Sequence, residues 1–318
     1  MGLKFFDLFA GIGGFRLGME RAGHECIGSC EWDKHARETY KKNFGSYPEY
    51  DDAKDLHPQS LPYFDVLCAG FPCQAFSIAG KRLGFEDTRG TIFFEIARIA
   101  KEKRPPYLFL ENVKGLLNHE GGKTFRTIIS TLDELGYDAE WQVLNSKYFV
   151  PQNRERIFIV GHLRDRSSRK VFPLGDFDKE TDKQKPKEIV EIVNDKGNLR
   201  GVEKATCIDS NYWKGCDNHA QRTMICKPVL TPDREEKRQN GRRFKEDGEP
   251  AFTINTQDRH GVYDGLRIRK LTPVECERLQ GFPDGWTTGV SDTQRYKQMG
   301  NAVTVPVVEY IAKELRLG

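Results

Sequence analysis

The sequence predicts an α/β protein with a mostly parallel sheet and a second, smaller, loop-rich domain. Short apolar runs alternate with helical patterns through the first half of the 318 residues, as in successive βαβ units. A glycine-rich turn, AGIGG, follows the first apolar run and opens a helix. After about residue 164 the chain is rich in charge, glycine, asparagine and proline, which favours a separate, irregular domain.

The expected elements follow one another in a regular order. Strand-like apolar runs lie at residues 3–9, 24–32, 66–69, 107–113 and 156–163. Helical spacing follows at 15–19, 92–100 and 125–135, and Asp33 is placed to cap a further helix that runs through Tyr40. Apolar periodicity returns at 271–279, and residues 301–315 predict a C-terminal helix that folds back onto the first domain.

Composition and charge narrow the class of protein. Hydrophobic residues make up 37% and charged residues 31%, values typical of a globular chain. The net charge of +3 permits a polyanionic partner without requiring one. The eight cysteines form no CxxC pair and no cluster with histidine, so we expect reduced thiols and no metal site. A signal-peptide pattern and an apolar run near the ~20 residues that span a bilayer are both missing, which predicts a cytoplasmic protein.

The glycine turn and the acid that follows it indicate an adenosine-containing cofactor. Arg16 stands where the dinucleotide fingerprint needs its third glycine, which argues against a nicotinamide oxidoreductase. Glu31 lies about 20 residues after Gly11, at the end of the second strand, where a carboxylate binds ribose hydroxyls. Trp32 is placed to stack on an adenine. The alternative is a glycine-rich turn with an incidental acid.

A cysteine follows the third predicted strand in the stretch GFPCQAFS. Cys73 lies at the carboxyl end of that strand, where open α/β sheets bind their ligands. Cys68 fits a buried structural thiol, but the neighbours of Cys73 include Lys81 and Arg82, which lower a thiol pKa. Cys73 is therefore the candidate nucleophile, with a structural cysteine as the alternative.

Charged residues lie at the end of the next predicted strand and in a later extended segment. Glu111 closes an apolar run, and Arg154 and Arg156 lie two residues apart on the same side of an extended segment. The alternatives are an ion-paired carboxylate and an exposed basic edge. Together with a thiol, a carboxyl proton donor and paired cations suit addition to an electron-poor ring followed by group transfer.

Eight motifs occur together in one order. They are FDLFAGIGGFRLG, EWD, LCAGFPCQAFS, GFEDTRGT, ENVKGL, QNRERIFIVG, RKLTPVECERLQGFPDGW and GNAVTVPVV. In these stretches the sequence resembles the DNA (cytosine-5) methyltransferases of bacterial type II restriction–modification systems, above all their small GCGC-methylating members. The resemblance covers the chain except about residues 165–265.

The resemblance implies a Rossmann-like methyltransferase sheet with S-adenosylmethionine as cofactor and S-adenosylhomocysteine as product. The implied cofactor residues are Phe9, Gly11, Gly13, Gly14, Glu31, Trp32, Asp52 (or Asp51), Pro72, Asn301, Ala302 and Val303. Cys73 would add to C6 of a flipped cytosine, and Glu111 would protonate N3. Arg156 and Arg154 would hold O2 or nearby phosphates.

The resemblance also implies duplex DNA as partner, a monomer, and protection of host DNA from restriction. The implied DNA contacts are Gln74, Ser77, Arg89, Thr253 and Ile254, with a loop from Phe76 to Arg89 that closes on Gly90. The catalytic domain would comprise residues 1–168 and about 288–318, and the target-recognition domain with its hinge about 169–287.

Two further readings of the same motifs stay open at this point. RNA-directed relatives carry a Cys-Phe-Thr signature, and the nearest context here, ATCIDS, does not match it. A catalytically silent DNA-binding relative would not need to keep Cys73, Glu111 and the two arginines.

Overall fold

Within the residues that the structure describes, six strands form the central sheet. The computed structural model describes residues 2–72, 92–166, 170–175, 190–193, 199–202, 223–224, 227–230, 232, 242–246, 249–256, 260–263 and 268–316. The sheet strands are β1 (Lys4–Leu8), β2 (Glu25–Cys30), β3 (Val66–Gly70), β4 (Tyr107–Val113), β5 (Tyr137–Asn145) and β6 (Glu155–Leu163). Their spatial order is β2-β1-β3-β4-β6-β5, in which the first four run parallel and β6 is antiparallel to both neighbours.

Helices cover both faces of this sheet. They are α1 (Gly14–Arg21), α2 (Lys34–Phe44), α3 (Ile92–Lys103), α4 (Lys123–Glu134), α5 (Pro273–Leu279), α6 (Asp292–Asn301) and α7 (Val305–Ala312). Short 3-10 helices lie at Pro58–Ser60, Lys114–Gly122 and Ser146–Tyr148. Apolar residues of α3 and α4 pack on one face, and those of α1 and α7 pack on the other. The predicted α/β fold is therefore confirmed.

Local sequence signals account for the helix starts near the site. Asp33 caps α2, since its Oδ1 accepts from the main-chain nitrogens of His35 and Ala36 at 2.9 and 3.1 Å. This cap was predicted. Thr272 and Glu275 form a capping box at the start of α5, which satisfies two of the free N–H groups of its first turn.

Residues on both sides of the predicted second domain pack on the first domain, although the sequence assigned them to the second. The indole nitrogen of Trp286 donates to the Ile12 carbonyl at 3.0 Å, and Gln152 donates to the Leu279 carbonyl at 2.7 Å. Val171, Phe172 and Leu174 also join the core of the first domain. These contacts involve residues outside the expected catalytic-domain boundaries of 168 and 288, and the division of the chain into domains stays a prediction.

Two further elements differ from expectation. The strand β5 was not predicted, and it lies at the edge of the sheet beside β6. The predicted helix over 301–315 is interrupted, because α6 ends at Asn301 and α7 begins at Val305 with Pro306 in its first turn. The break places Ala302 and Val303 in an extended connection.

The second domain consists of small antiparallel sheets where it is described. One contains β7 (Val190–Val193), β8 (Leu199–Val202) and β9 (Thr223–Met224), and the other β10 (Lys227–Leu230), β11 (His260–Tyr263) and β12 (Ile268–Lys270). Across the described ranges, none of the helices is long and apolar enough to cross a membrane. In the same part of the chain, no group of three or more His, Cys, Asp or Glu side chains is arranged to hold a metal ion.

Candidate active site

The turn after β1 has the backbone of a ligand cradle. Phe9 adopts a φ of 62°, a left-handed conformation that is uncommon outside glycine and that concentrates at ligand sites. Gly11 has a φ of 55°, and a Cβ added there would meet no atom within 4 Å, so this residue faces open space. A Cβ on Gly13 would clash with the Phe44 ring and one on Gly14 would meet Val303 at 2.8 Å, so close packing within the protein accounts for the missing side chain at both positions.

Glu31 joins this turn to the end of β2. Its Oε2 accepts from the Gly11 nitrogen at 2.7 Å, and its Oε1 accepts from the Asp33 nitrogen at 2.8 Å. Burial raises the pKa of Glu31, and these hydrogen bonds oppose the shift. Each carboxylate oxygen has a second lone pair, so ribose hydroxyls could add the donors that the buried charge lacks. Trp32 beside it is 75% exposed, which leaves its ring face open to an adenine.

The acids after residue 50 lie along the same edge. The Glu31 nitrogen donates to the Tyr50 carbonyl at 3.0 Å, which brings the following residues beside the end of β2. Asp51 is ion-paired with Arg37. Asp52 is exposed, and its Oδ1 accepts from the Lys54 nitrogen at 3.0 Å. Because Asp51 already has a cation, Asp52 is the acid of this pair that better suits a cofactor contact.

The C-terminal connection closes the cradle from the other side. Val303 is buried against Gly14, and Ala302 is buried next to it, whereas Asn301 is exposed at the end of α6. Pro72 is exposed just beyond β3. The predicted residues of the C-terminal segment therefore abut the glycine turn, although only Asn301 presents a largely exposed side chain.

Glu111 and Arg156 form an ion pair at the carboxyl end of β3. Glu111 pairs in register with Gly70, and its Oε1 lies 3.1 Å from Arg156 Nε. Its Oε2 lies 3.4 Å from where a Cβ on Gly70 would stand. Burial raises the pKa of Glu111, and Arg156 and Arg154 oppose this shift without cancelling it. A carboxyl that keeps its proton to higher pH is suited to donate it.

Arg154 has a different environment from the one expected. It is 2% exposed, its Nη1 donates to the Ile254 carbonyl at 2.7 Å, and its Nη2 donates to Ala302 and Gly300 carbonyls at 2.8 and 3.2 Å. The expectation that it holds the cytosine O2 or a phosphate does not agree with this placement. Its two terminal nitrogens are committed to main-chain carbonyls, whereas its buried Nε has no hydrogen-bond partner among the described residues.

The predicted nucleophile lies just outside the described residues. Cys73, together with Gln74, Ser77, Arg89 and the hinge at Gly90, falls in the range 73–91. The described chain ends at Pro72, and the Gly70 end of β3 lies against the Glu111 carboxylate. Three residues of chain span at most about 11 Å, so the sequence separation between Gly70 and Cys73 alone limits the distance between them.

None of the four thiols that the structure describes is a good alternative to Cys73 as the nucleophile. Burial raises the pKa of Cys26, Cys30 and Cys276 to about 12. Burial also raises the pKa of Cys68 well above its ordinary value. None of these four described cysteines supplies a thiolate at neutral pH, and the thiolate is the nucleophilic form.

The recognition residues behave differently from each other. The hydroxyl of Thr253 donates to the Asn153 carbonyl. Ile254 is 2% exposed and packs with Leu271 and Met299. The apolar side chain of Ile254 is therefore part of a buried cluster, and its contact with DNA stays a prediction.

Asn112 is a site residue that sequence reasoning missed. It is buried beside Glu111, and its Nδ2 donates to the Phe71 carbonyl at 2.8 Å. Phe71 in turn donates from its nitrogen to the Glu111 carbonyl at 3.3 Å. The available signal was an amide next to an acid at a strand end, where a buried amide needs a partner. Asn112 thereby holds the chain two residues before Cys73.

Replacement of Asn112 by alanine should lower catalytic activity by about 10- to 100-fold, because a small displacement of the candidate nucleophile is costly. Loss of the amide also leaves a buried carbonyl unpaired, at about 1–3 kcal/mol of unfolding free energy. Single-turnover rates and urea unfolding measure the two effects.

The matched control is Tyr137→Phe. It removes a buried hydroxyl that donates to the Pro105 carbonyl at 2.9 Å, next to the amino end of β4. We expect a similar loss of stability with activity within about twofold of wild type. Equal activity losses in both variants would contradict the role of Asn112 at the site.

Comparisons with known proteins identify the family. The model of the C-5 cytosine-specific DNA methylases matches residues 3–316. M.HhaI, a type II methyltransferase of Haemophilus parahaemolyticus, is 39% identical over 322 residues, 98% of this chain and 93% of the relative. M.HpaII of Haemophilus parainfluenzae is 41% identical over 328 residues, 98% of this chain and 88% of the relative. The orphan methyltransferase M.SPRI of Bacillus phage SPR is 34% identical over 427 aligned positions, which cover 98% of this chain and 97% of the relative.

Solved structures agree at the level of the fold. A Dnmt2 methyltransferase of S. pombe has a TM-score of 0.60 at 18% identity, with 97% of this chain and 96% of that chain covered. A putative DNA modification methyltransferase of an E. coli prophage has a TM-score of 0.61 at 21% identity, with 98% of each chain covered. The predicted family and methyltransferase fold are confirmed, and the chain belongs to the C-5 cytosine-specific DNA methylase family as a DNA (cytosine-5) methyltransferase.

Proposed function

We propose that this enzyme uses S-adenosylmethionine to methylate C5 of a cytosine flipped out of duplex DNA, through a covalent bond from Cys73 to C6. The observation that carries the proposal is the protonation-prone Glu111, paired with Arg156 where β3 leads toward Cys73. Monomeric action in the cytoplasm, where thiols stay reduced, and protection of host DNA from restriction complete the proposal. Relatives named type II methyltransferases support the last point.

The residues around the glycine turn fit S-adenosylmethionine. Gly11 borders open space, Glu31 is a buried carboxylate with free lone pairs, and Trp32 offers an exposed ring. Ribose hydroxyls would be held by Glu31 and the adenine by Trp32, with Phe9, Asp52 and Asn301 at the margins. When bound, the cofactor supplies an electrophilic methyl group for C5.

The chain's own groups would handle the ring. The Cys73 thiolate forms a bond to C6, and the electron pair of the C5=C6 bond becomes available at C5. Glu111 hydrogen-bonds N3 and gives it a proton, which offsets the charge that develops in the ring. Arg156 pairs with the Glu111 carboxyl and would hold O2 of the cytosine.

The return to an aromatic ring restores the enzyme. Once C5 carries the methyl group, a base takes the C5 proton and its bonding electrons reform the C5=C6 bond. The C6–S bond breaks with its electrons on sulfur, so Cys73 leaves as thiolate, and N3 returns its proton to Glu111. Extrusion of the cytosine from the duplex costs a few kcal/mol, about the unstacking and unpairing of one base.

The test uses DNA that cannot complete this return. Methylation-sensitive sequencing of DNA from cells that express the protein identifies the site. A duplex with 5-fluorocytosine at that cytosine should then form a covalent adduct of one enzyme per duplex, only when S-adenosylmethionine is present, because C5 has no removable proton. Methylated product without an adduct on this duplex would rule out the covalent route.

A further inference from the structure

We propose that Gln152 and Arg154 are positioning residues that hold the recognition segment, residues 251–254, in register with the catalytic acid. This inference rests on the proposed function. It assigns discrimination between DNA sequences to side chains that touch neither the cytosine nor the cofactor.

The recognition segment is docked along the chain that leads into β6. Gln152 and Ala251 form a parallel bridge. The Ala251 nitrogen donates to the Pro151 carbonyl at 2.9 Å, and the Asn153 nitrogen donates to the Ala251 carbonyl at 2.9 Å. The Thr253 hydroxyl adds a bond to the Asn153 carbonyl. Residues 251–253 therefore follow residues 151–153 as an added strand would.

Both main-chain groups of Ile254 are held by buried side chains. Its nitrogen donates to Gln152 Oε1 at 3.0 Å, and its carbonyl accepts from Arg154 Nη1 at 2.7 Å. Gln152 is 0% exposed, and Arg154 donates from its second terminal nitrogen, Nη2, to the carbonyls of Ala302 and Gly300. A shift of Ile254 would leave a buried cation without one of its acceptors, so this position tolerates little displacement.

The same stretch continues to the catalytic pair. Gln152, Arg154 and Arg156 alternate along an extended chain, which places their side chains on one side. The first two hold Ile254, and the third lies 3.1 Å from Glu111. Burial lowers the pKa of Arg154 to about 9, the neighbouring charge of Arg156 adds to this shift, and the negative charge of Glu111 opposes it.

This arrangement gives DNA reading a route to the chemistry. A duplex that fits the second domain keeps residues 251–254 docked. The guanidinium of Arg154 then stays bonded to the Ile254 carbonyl, where its charge acts on the Glu111 carboxyl. A duplex with a wrong base pair displaces the segment and with it the acceptor of Arg154. Discrimination should therefore appear in the rate of the chemical step and not only in DNA affinity.

The test compares Gln152→Met and Arg154→Lys with Gln142→Met as matched control. Gln142 holds both main-chain groups of Leu174, at 2.8 and 3.1 Å, on the edge strand β5 away from the site. Single-turnover methylation at saturating duplex and S-adenosylmethionine is measured on the identified site and on a duplex with one base pair changed. The amplitude of the 5-fluorocytosine adduct counts the active enzyme.

Both site variants should lower the rate constant on the correct duplex by about 10- to 100-fold and reduce discrimination by at least about tenfold, since tenfold corresponds to about 1.4 kcal/mol. Binding of S-adenosylhomocysteine by Gln152→Met should stay within about twofold of wild type, and Gln142→Met should match wild type throughout. A lower adduct amplitude with an unchanged rate constant and unchanged discrimination would mean a purely structural role and would overturn the proposal.

A wild-type measurement covers the case in which a variant fails to fold. Hydrogen exchange at the Ile254 amide should be slower with the correct duplex bound than with the changed duplex. Equal protection in the two complexes would sink the proposal. Failure of the proposed function is separable, because wild type itself would then give no adduct.

Discussion

Replacement of Cys73 by serine is expected to abolish methyl transfer, with a loss of roughly 10⁴- to 10⁶-fold in the single-turnover rate, the range seen when other enzymes lose their nucleophile. A serine hydroxyl is far less ionised than a thiol at neutral pH and makes a weaker nucleophile for a conjugated carbon. The variant should form no adduct with 5-fluorocytosine duplex. Isothermal titration should show S-adenosylhomocysteine binding within about twofold of wild type, because the glycine turn and Glu31 lie on other elements.

The control is Cys26→Ser. Cys26 is a half-buried thiol on β2 whose pKa burial raises to about 12, so it carries no thiolate to lose. We expect methylation by this variant to stay within about twofold of wild type. Measurable turnover by Cys73→Ser, above the level of trace wild-type contamination, would show that Cys73 is not the nucleophile.

The sheet was predictable because its central strands are buried on both faces. Residues 66–69 and 107–110 are uninterrupted apolar runs, and both form strands where the sequence predicted them. The edge strand β5 escaped prediction because its sequence, YDAEWQVLN, mixes charged and apolar residues and its middle is only partly buried. Pattern alone identifies strands that the core covers and misses those that solvent reaches.

The roles of individual glycines depended on partners far away in the chain. Gly13 packs against Phe44, and Gly14 packs against Val303, almost 290 residues later. Their spacing resembles a ligand-binding turn, so the sequence suggested one role for all three glycines. Only Gly11 borders open space. A missing Cβ shows that something approaches closely, and the sequence does not say whether it is a ligand or the protein itself.

The contact between Arg154 and Ile254 was also beyond prediction from the sequence. Their hydrogen bond joins residues 100 positions apart. Its acceptor is a main-chain carbonyl, and because every residue has one, the residue type at position 254 gives no sign of the contact. Arg156, two residues on, pairs with Glu111 at 3.1 Å, a contact that was not predicted. Alternation along the chain predicts both arginines on one side, but the environment of Arg154 depends on main-chain carbonyls of residues 254, 300 and 302, which lie far away in the sequence.

Glu111→Gln should reduce methyl transfer by about 10²- to 10³-fold, within the range for loss of a general acid. The amide keeps the size of the carboxyl and can hydrogen-bond N3, but it has no proton to give. Burial raises the pKa of Glu111, so wild-type activity should fall as pH rises through that raised pKa, and the variant should lack this limb of its pH–rate profile.

The control for this variant is Glu155→Gln. Glu155 adjoins Arg156 in the chain but is exposed and pairs with Lys114 at 2.9 Å. The change removes a negative charge next to Arg156 in the chain but leaves Glu111 in place, and we expect activity within about twofold of wild type. A full-rate Glu111→Gln enzyme with an unchanged pH profile would remove Glu111 from the chemistry.

The same pKa makes a prediction for stability. The folded protein holds the Glu111 proton more tightly than the unfolded chain, whose carboxyl ionises near its ordinary value of 4.5. Ionisation above about pH 4.5 therefore costs the native state free energy, and glutamine escapes this cost. Urea unfolding from pH 4.5 to 8 should show the variant gaining stability relative to wild type as pH rises. If wild type gains instead, the attraction of Arg156 outweighs burial, Glu111 is ionised in the resting enzyme, and its proton must arrive with the DNA.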